Sequence, residues 1–127
     1  MFLNFFAVFI GGGIGCLLRY VIGLFCSDYI SCDLPVATFF VNIVSCFIIG
    51  VAIAFFLNSV DINPAYKVSV IAGFCGGLST FSAFSLEVVK MLENNNYLTA
   101  VLYVIFSIVI CLSFTFIGFK LGNKFFS

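Results

Sequence analysis

GFCGGLSTFSAF, residues 73 to 84, sets three glycines, three hydroxyl side chains and three phenylalanines inside an apolar run long enough to cross a bilayer. Gly73, Gly76 and Gly77 weaken a helix, and a break between Gly76 and Thr80 would free carbonyl oxygens that no lipid can satisfy. Unwound backbone is tolerated in hydrocarbon only where protein buries it or where it lines a cavity. Discontinuous helices are also where membrane transport proteins place their ion sites. The stretch therefore predicts a broken transmembrane helix with an ion-binding or permeation site at the break. A cation could take up the freed carbonyls, as could another polar segment. Beyond the break, Phe81 and Phe84 share a face with Ser82 and Ala83 beside them, and an aromatic ring is electropositive at its edge. Rings held edge-on favour an anion while excluding bulk water.

Working outward, a chain of 127 residues that is 64% hydrophobic and 8% charged cannot hide its apolar surface in one soluble core. Four apolar spans fall at roughly residues 2–25, 35–58, 67–92 and 97–121, each close to the ~20 residues a bilayer requires. They predict an all-α, multi-pass membrane protein made of a single four-helix domain. The connecting stretches SDYISCDLP, NSVDINPAY and LENNNYL hold both prolines and four of the five acidic residues. The first span lacks a basic leader and carries Arg19 within it, which predicts a retained helix and not a cleaved signal.

Six cysteines and no histidine give no metal-binding or redox spacing. Cys16, Cys46, Cys75 and Cys111 fall inside spans, where they read as small apolar packing residues. Cys26 and Cys32 share the first loop and read as incidental thiols. Positive charge is nearly balanced across the bilayer, with Lys67, Lys120 and Lys124 on one side against Lys90 and Arg19 on the other. Orientation follows Lys/Arg asymmetry in short loops, so this balance points to insertion both ways round and an antiparallel homodimer, the alternative being that one lysine or a partner protein sets the orientation.

The helix faces supply the remaining candidates. Gly11, Gly15, Arg19 and Gly23 recur every four residues and share one face of the first span. The glycines suit close helix packing. Arg19 must snorkel, pair or face water, which makes it either a functional group or an interfacial anchor. Thr38, Asn42 and Ser45 form a polar stripe on the second span. The Asn42 amide can donate two hydrogen bonds, to an anion or to a neighbouring helix. In the fourth span Tyr103, Ser107, Cys111 and Thr115 recur every four residues, suiting either a small ion exchanging its water for protein donors or plain interhelical hydrogen bonding. Glu87, the acidic residue well inside a span, precedes Lys90 by three and reads as an interfacial pair.

GGGIGCLLRY (11–20), PVATFFVN (35–42) and GFCGGLSTFSAF (73–84) resemble the three signature segments of the Fluc (CrcB) family of fluoride channels, in order and with matching intervals. The resemblance covers essentially the whole chain. It implies a dual-topology antiparallel homodimer in the cell membrane, with two fluoride pores and a structural sodium ion at the centre. By motif position the backbone carbonyls of Gly76 and Ser79 would hold the sodium, and Phe81 and Phe84, from opposite subunits, would face each pore. Ser82 would sit beside these rings. Asn42 would be the anion ligand at the pore mouth, Arg19 the positive vestibule residue, and Thr38, Tyr103, Ser107 and Thr115 the polar track. The chain departs from the usual TTFSTF form at Ser79 and Ala83, and Cys111 stands where a serine is expected.

The implied function is passive, selective export of fluoride, lowering its toxicity, and involves no nucleic acid. Consistently, the chain has no nucleotide-binding loop, no histidine, and no midspan carboxylate suited to proton coupling, and it is not expected to be an enzyme. The competing class is a small four-helix multidrug or guanidinium exporter. Such an antiporter needs a carboxylate deep in its first helix, where this chain has none.

Overall fold

Within hydrocarbon a chain must satisfy its own backbone, so each apolar run becomes a helix. The computed structural model describes residues 1–30 and 34–127, and every regular element among them is helical. α1 runs Phe2–Tyr29 and α2 runs Val36–Asn58. The third span is composite: α3 Pro64–Val68, a π-helical stretch Ser69–Cys75, α4 Gly76–Leu78 and α5 Phe81–Glu93. α6 spans Tyr97–Phe126. Four helical stretches are thus long and apolar enough to cross a membrane, and one of them is bent. The outer two run further than expected, to Tyr29 and Phe126. Cys32 lies outside the described residues, and so does any pairing of it with Cys26.

Contacts fix the directions of the spans. Phe39 meets Tyr103, Phe47 meets Phe114, and Asn58 bonds Asn123, so α2 and α6 run parallel. Ser69 donates to the Ala7 carbonyl, and Gly77 lies against Gly12 and Cys16, so α1 and the third span also run parallel. α2 is antiparallel to the third span, with Thr38, Asn42 and Ser45 bonded to Glu87, Thr80 and Cys75 in descending order. The chain therefore crosses up, down, up and down, and both ends emerge on one side.

Each parallel pair closes through glycine. Without a hydrophobic drive between helices in lipid, close backbone approach supplies the attraction. Gly11 and Gly15 face the third span, as expected from their shared face, whereas Gly23 meets nothing within 4 Å and borders an open cleft instead. The second seam, Gly50 with Gly118 and Gly122, was not singled out from the sequence. An added Cβ at Gly50 would strike the Thr115 carbonyl, and one at Gly118 the Phe47 carbonyl. Gly50→Ala should therefore cost at least the ~1–3 kcal/mol typical of overpacking. Gly13, with nothing within 4 Å of an added Cβ, should accept alanine and gain up to ~1 kcal/mol of helix propensity. Thermal loss of the folded peak in detergent would read both. A Gly50→Ala protein as heat-resistant as the parent would contradict this packing.

The break falls later than the glycines. Gly76 stays helical, with φ −64° and ψ −35°, while Ser79 and Thr80 are extended. Hydroxyls cause this, because serine and threonine offer the backbone alternatives to helix bonds. Ser79 Oγ donates back to the Cys75 carbonyl at 2.8 Å, and Thr80 Oγ1 caps α5 by accepting from Ala83 N–H at 3.2 Å. Gly73 and Gly77 instead let the third span press against α1.

Candidate functional site

Asn42 holds the break open. Its Oδ1 accepts the Thr80 N–H at 2.8 Å, and its Nδ2 donates to the Thr80 carbonyl at 3.3 Å. In an unbroken helix the Thr80 N–H would bond the carbonyl of Gly76, four residues back. Asn42 diverts that donor. The Cys75 carbonyl, by contrast, is fully used, accepting from Ser79 N–H, Ser79 Oγ and Ser45 Oγ. No donor reaches the Ser79 carbonyl among the described residues. The carbonyls of residues 76 to 79 are thus the oxygens that the break leaves without a donor among the described residues.

Thr80 stands between two clefts. The first, about 230 Å³, is lined by Asn42, Cys46, Ser79, Phe81, Phe84, Ser107 and Cys111 as well as Thr80. One of the two Asn42 amide hydrogens is taken by Thr80, which leaves the other free for a ligand. Ser107, only 8% exposed, has a hydroxyl with no partner among the described residues. A buried polar group costs about 1–3 kcal/mol when unsatisfied, so this hydroxyl is poised for something that enters the cleft. The rings of Phe81 and Phe84 sit 5.6 Å apart, tilted by 40°. Phe84 is 9% exposed and leans on Tyr103 at 5.1 Å, while Phe81 is 79% exposed. Ser82 lies beside them, its Oγ 3.2 Å from Thr80 Oγ1. No carboxylate lines this cleft among the described residues.

The second cleft, about 420 Å³, is lined by Arg19, Thr38, Thr80 and Ala83 among others. Arg19 reaches Cys16 Sγ at 3.7 Å, a weak contact that leaves its guanidinium charge facing the cleft. Ala83 brings a methyl group to this wall.

Glu87 is the group that sequence reasoning misplaced. Its carboxylate accepts from Thr38 on one side and from the Tyr103 hydroxyl, at 2.9 Å, on the other. Its partners are hydroxyls from α2 and α6 and not Lys90, which is exposed. A carboxylate within a span is itself a signal, and the nearby lysine drew attention from the hydroxyls at helical spacing on two other spans. Thr38 and Tyr103 are therefore brought together, through Glu87. Thr115 is not among them. Its hydroxyl bonds back to the Cys111 carbonyl at 3.1 Å, and it borders a separate apolar cleft beside Gly50.

The arrangement can therefore take up an anion at neutral donors and ring edges, next to freed carbonyls suited to a cation. Known proteins resemble the chain along nearly its whole length. The family described as "CrcB-like protein, Camphor Resistance (CrcB)" matches residues 6–119. A protein named fluoride-specific ion channel FluC 1 from Yersinia pestis is 41% identical over 125 residues, covering 98% of each chain. The fluoride-specific ion channel FluC of Geotalea daltonii is 41% identical over 113 residues, 87% of this chain and 91% of that one. A third, from Escherichia coli O1:K1 / APEC, is 40% identical over 119 residues and covers 94% of each.

Proposed function

The chain belongs to the CrcB family, and on that premise we propose that it is a fluoride-selective channel that lets fluoride leave the cytoplasm passively through a multi-pass membrane domain. The observation that carries this reading is the donor-lined cleft at the break. Fluoride is small and strongly hydrated, so a path for it must replace water with hydrogen-bond donors. The spare Asn42 N–H, the unpartnered Ser107 hydroxyl and the edges of Phe81 and Phe84 are such donors, and none carries a fixed charge that would trap the ion. Arg19 concentrates anions in the neighbouring cleft. Thr38 and Tyr103 extend the track, and an anion passing them takes over hydroxyls that Glu87 holds in its absence. The driving force is the membrane potential, worth about 2.3 kcal/mol per charge per 100 mV.

The functional unit in this reading is an antiparallel homodimer with two pores. Phe81, at 79% exposure, is an open half of a ring pair that a second copy completes. A sodium ion held by the Gly76 and Ser79 carbonyls is compatible with the break, since both are among its freed oxygens and hard cations take neutral oxygen ligands. One chain offers too few of them, and a two-fold copy doubles the set. When bound, the ion supplies a fixed positive charge at the dimer centre.

Liposomes containing the purified protein test the function and the topology together. Fluoride should leave quickly under a potassium diffusion potential while chloride stays behind, and a single loop cysteine in a cysteine-free background should be labelled about half from outside. Equal chloride efflux would remove the selectivity. Labelling from one side only would remove the dual orientation.

A further inference from the structure

Two side chains in the wall of the first cleft are not among the anion donors named above. Cys46 from α2 and Cys111 from α6 both line it, both are free thiols, and each is the other's neighbour across the parallel seam. Read from the sequence, they are packing residues. In the structure they are half-buried and open to the cleft. Close glycine contacts at Gly50 and Gly118 lock α2 to α6 beside this wall, so the sulfurs sit on rigid elements. Ser107, one turn before Cys111, adds the buried, unpartnered hydroxyl that marks the cleft as a place for a ligand.

We propose that Cys46 and Cys111 form a two-thiol site for a soft, thiophilic cation, and that a cation held there closes the cleft. Soft sulfur ligands select soft cations such as Cu⁺ over the hard ions suited to backbone carbonyls. The thiolate is the ligand, so binding releases one proton from each thiol to water as two sulfur–metal bonds form, with no electron transferred. With a divalent cation the product is neutral and obstructs by volume. Two of the other thiols are less suited. Cys75 is 2% exposed, and Cys16 lies beside the positive charge of Arg19. The closure half of this inference rests on the fluoride-channel reading, whereas the binding half does not.

Mercuric ion is the probe. In a chain whose other four cysteines are alanine, one ion should bind per chain and consume both thiols, counted by native mass spectrometry and thiol titration. Cys46→Ala or Cys111→Ser in that background should weaken binding roughly a hundredfold, because one of two linked ligands is lost. If the four-alanine chain misfolds, the same two substitutions in the wild-type chain should each lower mercury occupancy by one. Mercuric ion should also stop fluoride efflux from wild-type liposomes, a dithiol should restore it, and the Cys111→Ser protein should keep its own rate. Occupancy unchanged by either substitution would overturn the site. Two-thiol binding with unaltered efflux would overturn the closure. A wild-type protein that carries no fluoride but binds mercury at both thiols would support the site and remove the channel reading alone.

Discussion

Phe81→Ile should lower fluoride efflux by roughly two- to tenfold while leaving the protein folded and its assembly intact on size exclusion. The two halves of that expectation have separate causes. Phe81 is 79% exposed on its own chain, so its ring contributes little to the packing of that chain. A near-isosteric apolar exchange costs under ~1.5 kcal/mol even in a core. The ring edge, however, is lost entirely. Specific aromatic geometry is worth about 0.5–1.5 kcal/mol beyond area, and ~1.4 kcal/mol is tenfold in an equilibrium. Phe84→Ile should reduce flux similarly but also destabilise, because Phe84 is 9% exposed and packs on Tyr103. Normal efflux from both well-folded variants would remove the rings from the pathway, whatever the protein carries.

Asn42→Ala should damage stability and flux together. The substitution strands the Thr80 N–H, in a residue only 8% exposed, and removes a donor from its carbonyl. An unsatisfied buried group costs about 1–3 kcal/mol. The stranded donor can also turn back to the Gly76 carbonyl, healing the helix and erasing the break. Asn42→Asp separates the two roles, since a carboxylate still accepts from Thr80 N–H but offers no donor and repels an anion. It should fold better than the alanine variant and conduct no better. An Asn42→Ala protein that melts like the parent would mean that the side chain does not hold the break.

The sequence is a good guide to the spans because apolar length is a local property. The boundaries at Pro35, Asn63–Pro64 and the run Asn94–Asn96 are written in turn chemistry, and Asn63 does cap α3. The break was legible to within a few residues but for the wrong reason: glycine signals weakness, whereas the backbone parts where Ser79 and Thr80 supply side-chain bonds. The cap was readable in principle, from Thr80 as a favoured N-cap residue just before a helical run. Asn42 was open between anion ligand and helix glue until its partner was known. The structure gives it the second role, with one amide hydrogen to spare for the first. The partners of Glu87 were out of reach because they lie 49 residues before it and 16 after it, and no local period links such positions. The α2·α6 glycine seam escaped for the same reason, since Gly50 meets Thr115 and Gly118 meets Phe47 only once two distant helices run in parallel.

The broken span also bears on how the protein enters the membrane as it is made. Residues 64–93 are the least apolar of the four candidate spans, and in isolation the break would expose Thr80 N–H and several carbonyls to lipid. Each unmet group there costs several kcal/mol. The partners that receive them, Asn42 and Ser45 on α2, and the glycine face of α1 that the third span packs against, all precede the break in the chain. Synthesis from the N-terminus therefore delivers the acceptor surface before the segment that depends on it. The order of the helices in the gene is an assembly order: the first two form a docking platform, and the third leaves the translocon into contacts already waiting for it.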